Sequence, residues 1–319
     1  MDLRLLDAPA VEWHVIVPTG QQASPFELAN QGLYLEGRRI ADARLVEHDD
    51  AQLGYARNSG RVVTMNTNAR SACTGCVFCP NTMADANDPA IASSDAEIQQ
   101  WISVFIRKYR WQDLSGVDEI NLSTGCFGAE QRAVEHLLRL RVLLGQFGFR
   151  GRLGILSSVI RTDDGLRALR DAQPFALFLT LECLTRRALL LKESKADLTP
   201  SDAVEVLQRA RTFGHHTGVM LVVGLDPLDA LVEWLRDAAP YLTDFPNLQI
   251  YQSHGPYMDV FRTPGAHDLV FFVEARRRLE SILEPTSLRP RAWQNYRPLW
   301  YYEFAGEALR PQVYAEEAQ

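Results

Sequence analysis

Residues 61–80 read Arg61-Val-Val-Thr-Met-Asn-Thr-Asn-Ala-Arg-Ser-Ala-Cys73-Thr-Gly-Cys76-Val-Phe-Cys79-Pro80. The stretch joins two signals. Val62–Asn66 is a short apolar run with β-branched residues, the composition of a buried strand. A loop of small and polar residues, 67–72, then leads into three cysteines within seven residues. Each i, i+3 step turns the chain, so three thiolates can wrap one cuboidal iron–sulfur cluster and leave one iron open to an outside ligand. A bacterial ferredoxin run would add a fourth cysteine where Met83 stands. A structural zinc site uses four ligands, usually two Cys-x-x-Cys knuckles. There is no second knuckle, and no histidine lies between residues 49 and 135. Zinc, or a cluster completed by distant Cys126 or Cys183, stands as the alternative.

Beyond this loop the chain alternates. Strand-like runs at Glu119–Leu122, Leu153–Leu156, Ala176–Leu181, Val219–Val223 and Leu248–Tyr251 follow Val62–Asn66. Helical stretches lie near Asp95–Tyr109, Ala129–Phe147, Asp163–Asp171, Ser201–Phe213, Leu228–Ala239 and Ala266–Leu283. Ser94 or Asp95, Thr162 and Thr199-Pro200 offer helix starts; Gly148 and Gly214 offer stops. Ala133, Leu137, Leu140 and Leu144 form one apolar stripe. Six strand–helix units predict an α/β fold with a parallel sheet, either a partial (β/α)6 TIM-like barrel or an open doubly wound sheet. Residues 1–60 read as a small β-rich extension with short strands at Val15–Val17 and Leu33–Leu35, 61–284 as the barrel, and 285–319 as an irregular aromatic tail closing the barrel mouth or its open side. No internal repeat is present.

The cysteine motif resembles that of the radical S-adenosylmethionine (SAM) superfamily, Cys-x-x-x-Cys-x-aromatic-Cys on the loop after the first strand of a partial (β/α)6 barrel. Cys76-Val77-Phe78-Cys79 matches the second half. The first spacing is two residues instead of three, with Ala72 where the family has its first cysteine. Similar segments run through residues 61–253, about three-fifths of the chain. Asn121-Leu-Ser123-Thr124-Gly125 stands where the family has a Gly-Gly-Glu-like motif for the SAM amino group, with Cys126 next to it. Thr180-Leu-Glu182 ends the fourth strand, where a polar or acidic side chain meets SAM; the bland reading of Glu182 is a rim salt bridge. Val222-Val-Gly224-Leu225-Asp226 resembles the segment packed beside the adenine.

The resemblance implies a 4Fe-4S cluster on Cys73, Cys76 and Cys79, with SAM beside Phe78, Ser123, Thr124, Gly125, Ser157, Glu182, Gly224 and Gln252. It implies reductive cleavage of SAM to a 5′-deoxyadenosyl radical that takes hydrogen from a substrate. An electron donor such as flavodoxin or ferredoxin would serve it. Cys126 is the candidate catalytic residue, as hydrogen donor or substrate anchor, against the plain reading of a small buried side chain. Ser157 and Gln252 could as well cap helices or face solvent, and Asp226 could cap the helix that follows it. If Glu182 faces the barrel interior, alternation turns Cys183 outward to pack on helices.

Composition narrows the class. The 319 residues are 46% hydrophobic and 23% charged, which excludes disordered and collagen-like chains. A formal net charge of −7 and no long basic run disfavour nucleic acid as partner. No apolar run approaches the ~18–20 residues of a membrane span. The N-terminus lacks the pattern of a signal peptide, and five cysteines do not make a disulfide framework, so a reducing cytoplasm is expected. The cysteines leave no set for auxiliary clusters, which points to a small-molecule substrate in cofactor or specialised-metabolite biosynthesis. The rival class is a non-catalytic iron–sulfur or zinc-binding protein.

Overall fold

The computed structural model describes residues 2–7, 9, 12–14, 24–44, 54–57, 60–67, 76–79, 94–124, 127–191, 194–253, 255–291, 299–300 and 303–309. Strands β1 (Asp2–Leu5), β2 (Glu12–His14), β3 (Phe26–Ala29), β4 (Gly32–Leu35) and β5 (Arg38–Arg44) form an antiparallel sheet in the order β2-β1-β5-β4-β3. The expected strand at Leu33–Leu35 is β4; Val15–Val17 lies outside the described residues.

The second sheet carries the site. Its strands are β6 (Gly54–Arg57), β7 (Val62–Met65), β8 (Glu119–Leu122), β9 (Arg152–Ser157), β10 (Phe175–Glu182), β11 (His216–Val223) and β12 (Asn247–Ile250), and they neighbour one another in chain order. β7 to β12 run parallel, while β6 pairs antiparallel with β7, so this sheet begins before Arg61. The helices are α1 (Asp95–Lys108), α2 (Glu130–Gln146), α3 (Asp163–Ala168), the single turns α4 (Arg187–Leu190) and α5 (Ser194–Asp197), α6 (Pro200–Thr212), α7 (Leu228–Ala238), the turn α8 (Pro256–Asp259) and α9 (Leu269–Leu283). The cap chemistry is as the sequence suggests. Ser94, Thr162 and Thr199 accept from the backbone of the first turns of α1, α3 and α6, satisfying amides that a helix start leaves open.

The faces of the sheet settle its architecture. Ile120, Leu122, Leu153, Ile155, Leu177, Leu179, Val219 and Leu221 share one apolar core with buried residues of α1, α2, α6, α7 and α9, the Ala133, Leu137, Leu140 and Leu144 stripe included. Alternate residues, among them Asn121, Gly154, Phe178 and Gly218, face the other way. A Cβ on Gly154 would fall 2.0 Å from Asn121 Oδ1, and one on Gly218 would fall 2.3 Å from the Phe178 ring. Helices on one face and strands in unbroken order make a half-barrel; a doubly wound sheet reverses its order and covers both faces. On the concave face Leu156, Met220 and Val222 keep partial exposure at the centre of the sheet, so its upper part is open.

The described part of the C-terminal tail packs away from the cysteines, and most of the aromatic residues expected to close the barrel mouth or its open side lie outside the described residues. Trp300 and Phe304 are buried edge-on against Phe245, which precedes β12. A hairpin of β13 (Glu303–Phe304) and β14 (Glu307–Ala308) is held by Arg289–Glu307 at 2.8 Å and by Arg276 donating to the Glu303 carbonyl at 3.0 Å. These contacts lie at the strand amino ends, opposite the cysteines, because the apolar niche for two large rings is there. Residues 292–298, 301–302 and 310–319 of the tail lie outside the described residues.

Candidate functional site

The site lies at the carboxyl ends of the strands. Cys76 and Cys79 share one turn, with the Cys79 amide donating to the Cys76 carbonyl at 2.8 Å. This turn is held from outside itself. Cys76 forms an antiparallel bridge with Leu191, and the Val77 amide donates to the Leu190 carbonyl at 3.0 Å. A second apolar cluster, separate from the main core, encloses the turn: Cys76, Phe78, Cys183, Leu190, Leu191, Leu225, Tyr251 and Met258, with Cys79 at its edge. Phe78 meets Tyr251 edge-on, with centroids 6.3 Å apart. Burial pushes the Tyr251 hydroxyl up to about 12, and it donates to the Met258 carbonyl at 2.8 Å.

The loop after β10 departs from strand alternation. The register slips between Thr180 and Glu182, and Glu182 has φ of +66°, a left-handed conformation that non-glycine residues rarely adopt. Glu182 is buried and its carboxylate pairs with Lys195 Nζ at 2.6 Å, as the rim salt-bridge reading had it. The bulge also overturns the outward placement of Cys183. That thiol lies in the cluster with Cys76, where burial and then the Asp226 carboxylate push it up to about 12. Asp226 does not cap the helix after it. Its carboxylate instead accepts from the Leu184 and Thr185 amides at 2.8 Å each and from the Thr185 hydroxyl at 2.6 Å.

The remaining candidates divide. Ser123 is exposed and Thr124 half-buried, and the Ser123 amide donates to the Met65 carbonyl at 2.9 Å, which brings this loop beside the root of the cysteine loop. Ser157 pairs in register with Leu179 on the helix side, and its Oγ accepts from the Val159 amide at 3.2 Å. That is a loop-capping role; alternation gives the concave side to Ser158. Gly224 has φ of +113°, and a Cβ there would lie 3.0 Å from Tyr251 Cβ, so the turn after β11 requires glycine. Gln252 is half-buried beyond β12, and its Oε1 has no hydrogen-bond partner among the described residues. Cys73, Gly125 and Cys126 lie outside the described residues.

Sequence reasoning assigned no role to Arg186, Arg187, Lys195 or Tyr251. An arginine pair directly after a strand end was the available signal. At the root of the cysteine loop, Thr67 Oγ1 and His136 Nε2 lie 2.7 Å apart. Burial, and then the charge of Arg139, hold the His136 imidazole down to about 4, so it is neutral at ordinary pH.

Among the described residues no three His, Cys, Asp or Glu side chains are grouped to hold a metal. The donor chemistry nonetheless fits an iron–sulfur cluster: two soft thiol ligands share one turn, lined by Phe78, Leu190 and Leu225 in place of water.

No protein-family model matches the sequence, and no curated protein matches it. Among solved structures, SuiB of Streptococcus suis bound to S-adenosylmethionine is 13% identical with a TM-score of 0.47, over 72% of this chain and 50% of that one. SuiB bound to its precursor peptide SuiA is 12% identical with a TM-score of 0.47, over 72% of this chain and 48% of that one. The radical S-adenosylmethionine methyltransferase TsrM of Kitasatospora setae, with cobalamin and a [4Fe-4S] cluster bound, is 13% identical with a TM-score of 0.41, over 61% of this chain and 37% of that one. The chain thus spans half or less of the length of these structures. Likeness at this level is of outline, and function rests on the residues. No helix among the described residues is long and apolar enough to cross a membrane.

Proposed function

We propose that this protein is a radical SAM enzyme. One observation carries the reading: the Cys76–Cys79 turn is fixed inside an apolar enclosure at the carboxyl ends of the half-barrel strands. That is the end where barrels of this kind keep their chemistry. Cys73, Cys76 and Cys79 would hold a 4Fe-4S cluster through their sulfurs. Together with SAM it would supply one-electron cleavage to a 5′-deoxyadenosyl radical. The chain's own part is to bind, orient and exclude. Phe78 and Leu225 keep water from the thiolates. Ser123, Thr124 and Gly125 would meet the methionine end of SAM, and Gly224 lets the backbone after β11 run close to Tyr251. Glu182 would reach the cofactor from a carboxylate already tied to Lys195. Cys126 would face the substrate as hydrogen donor or anchor.

A small molecule is the proposed substrate, seated on the open upper concave face beside Leu156, Met220 and Val222. Flavodoxin or ferredoxin would deliver the electron, and the cytoplasm is the compartment that keeps such thiols reduced. Anaerobic reconstitution followed by iron and sulfide analysis, and assay of 5′-deoxyadenosine from SAM under reductant, tests the reading. Brown protein that cleaves SAM is the expected result; colourless protein carrying zinc would overturn it in favour of a non-catalytic metal protein.

A further inference from the structure

Arg187 is a long cation in an unusual place. It is 7% exposed, and no carboxylate bonds its guanidinium among the described residues. Nη1 donates to the Leu181 carbonyl at 2.7 Å and the Cys183 carbonyl at 2.5 Å, and Nη2 donates to the Lys195 carbonyl at 2.5 Å. One planar fork therefore gathers backbone from the end of β10, the bulge beyond it and α5. Burial works against its charge, while Cys183, Glu182 and Asp226 work for it. Burying a charge is costly unless it is paired or hydrogen-bonded, and here three backbone carbonyls supply the bonds.

What depends on it is the segment 183–191. Its start is held by Asp226 through Leu184 and Thr185. Its middle is held by Arg186, whose Nη2 donates to the Leu225 and Phe261 carbonyls. Its end, Leu190-Leu191, is the backbone that pairs with Cys76 and Val77. The cysteine turn thus has the loop after β10 as its backbone support from outside the turn. We infer that Arg187 is a positioning residue for the metal-binding turn, fixing the Leu190-Leu191 backbone against which Cys76 and Cys79 are presented. The inference rests on the reading of those cysteines as ligands. Lysine at 187 would keep the charge and lose the fork, since an ammonium cannot span three carbonyls in one plane.

The test starts with metal-free protein. Amide hydrogen exchange over residues 76–79 in Arg187→Lys is expected to quicken at least about tenfold, the scale of losing a charge-assisted bond to a buried group. Asp226→Asn, which keeps the side-chain shape, should quicken it in the same direction by a smaller factor and serves if Arg187→Lys does not fold. Leu137→Ala, a cavity in the helix layer, lowers general stability and should leave exchange at 76–79 no faster than the rest of the chain. After reconstitution, Arg187→Lys should lose iron to a chelator at least about tenfold faster and show altered cluster EPR, again unlike Leu137→Ala. Exchange at 76–79 within about twofold of wild type in both loop variants would overturn the inference. If wild-type protein takes up no iron, the exchange measurement still decides the clamp, and only the reading as a cluster enzyme falls.

Discussion

The two ends of the half-barrel bury charge in opposite ways. At the amino end ions meet ions. Arg152 donates to Glu119 and bridges to Asp244 at 2.7 Å, Arg291 reaches Glu119 at 3.3 Å, and Trp300 and Phe304 seal the layer beneath. At the carboxyl end, the Glu182–Lys195 pair apart, ions meet backbone. Arg187 and Arg186 bind carbonyls and Asp226 binds amides, so the charges are spent on shaping loops. A closed ion cluster satisfies itself and asks for no ligand, whereas a lattice of charge on backbone holds a cavity's walls in place without filling it. The first arrangement suits a foot and the second suits a mouth.

The sharpest way to break this contrast is to remove one thiol from the mouth. Cys76→Ala and Cys79→Ala should each abolish iron uptake and SAM cleavage while leaving the melting temperature of the metal-free protein close to wild type, measured by iron analysis and thermal unfolding. Cys73→Ala should do the same; retention of full iron there would remove Cys73 from the ligand set. Trp300→Ala at the foot should give the mirror image. Emptying a buried indole site costs about 3–5 kcal/mol, so urea unfolding should shift strongly, yet folded protein should still load iron and couple SAM cleavage to substrate as wild type does. Raised uncoupled 5′-deoxyadenosine in Trp300→Ala would mean that the tail guards the mouth after all.

Much of the fold was legible in the sequence, the contrast in buried charge was not, and the limits have a physical cause. The strands, the main helices, the Ser94, Thr162 and Thr199 caps and the placement of cysteines after β7 follow from local pattern, because period, cap chemistry and turn residues act within a few positions. The bulge at Thr180/Glu182 does not, since it depends on register with β11. One slipped residue was enough to bring Cys183 into the cysteine cluster. The same holds for Ser157, because a position at a strand end does not reveal which face the side chain takes. The tail shows a different limit: a density of aromatic residues says that rings will be buried, and nothing in it says at which end.

A smaller effect is expected from the ion cluster itself. In Arg152→Met, Glu119 and Asp244 lose their shared cation while remaining buried. Stranding buried carboxylates costs about 3 kcal/mol or more, partly relieved here by Arg291 on Glu119. Chemical denaturation should read this loss, and iron content per folded chain should not change. Loss of iron at unchanged stability would show that the two ends are coupled, and the division into foot and mouth would fail.

The gentlest probe is pH, because each end holds a buried histidine. His136 bonds Thr67 at the root of the cysteine loop, and His215 bonds the Leu166 carbonyl at 2.7 Å near the amino end of β11. Burial lowers both imidazole pKa values, His136 to about 4. The unfolded chain, with histidines near 6.5, therefore binds more protons than the folded one below that pH. Stability is full above about 6.5 and, for His136, falls by up to about 1.4 kcal/mol per pH unit as the medium is acidified toward 4, with His215 adding a loss in the same direction. Exposed carboxylates that are held low, such as Asp259 and Glu307, lose their contribution in the same direction, but only as the pH falls into and below the ordinary carboxylate range. His136→Gln should remove its own share of the slope between pH 6.5 and 4.5 and leave that of His215. Amide exchange then separates the ends. Acidification should loosen wild-type backbone around Thr67 and around Leu166, and in His136→Gln it should loosen only the second. If the slope is unchanged in that variant, His136 is not the group that titrates at the mouth.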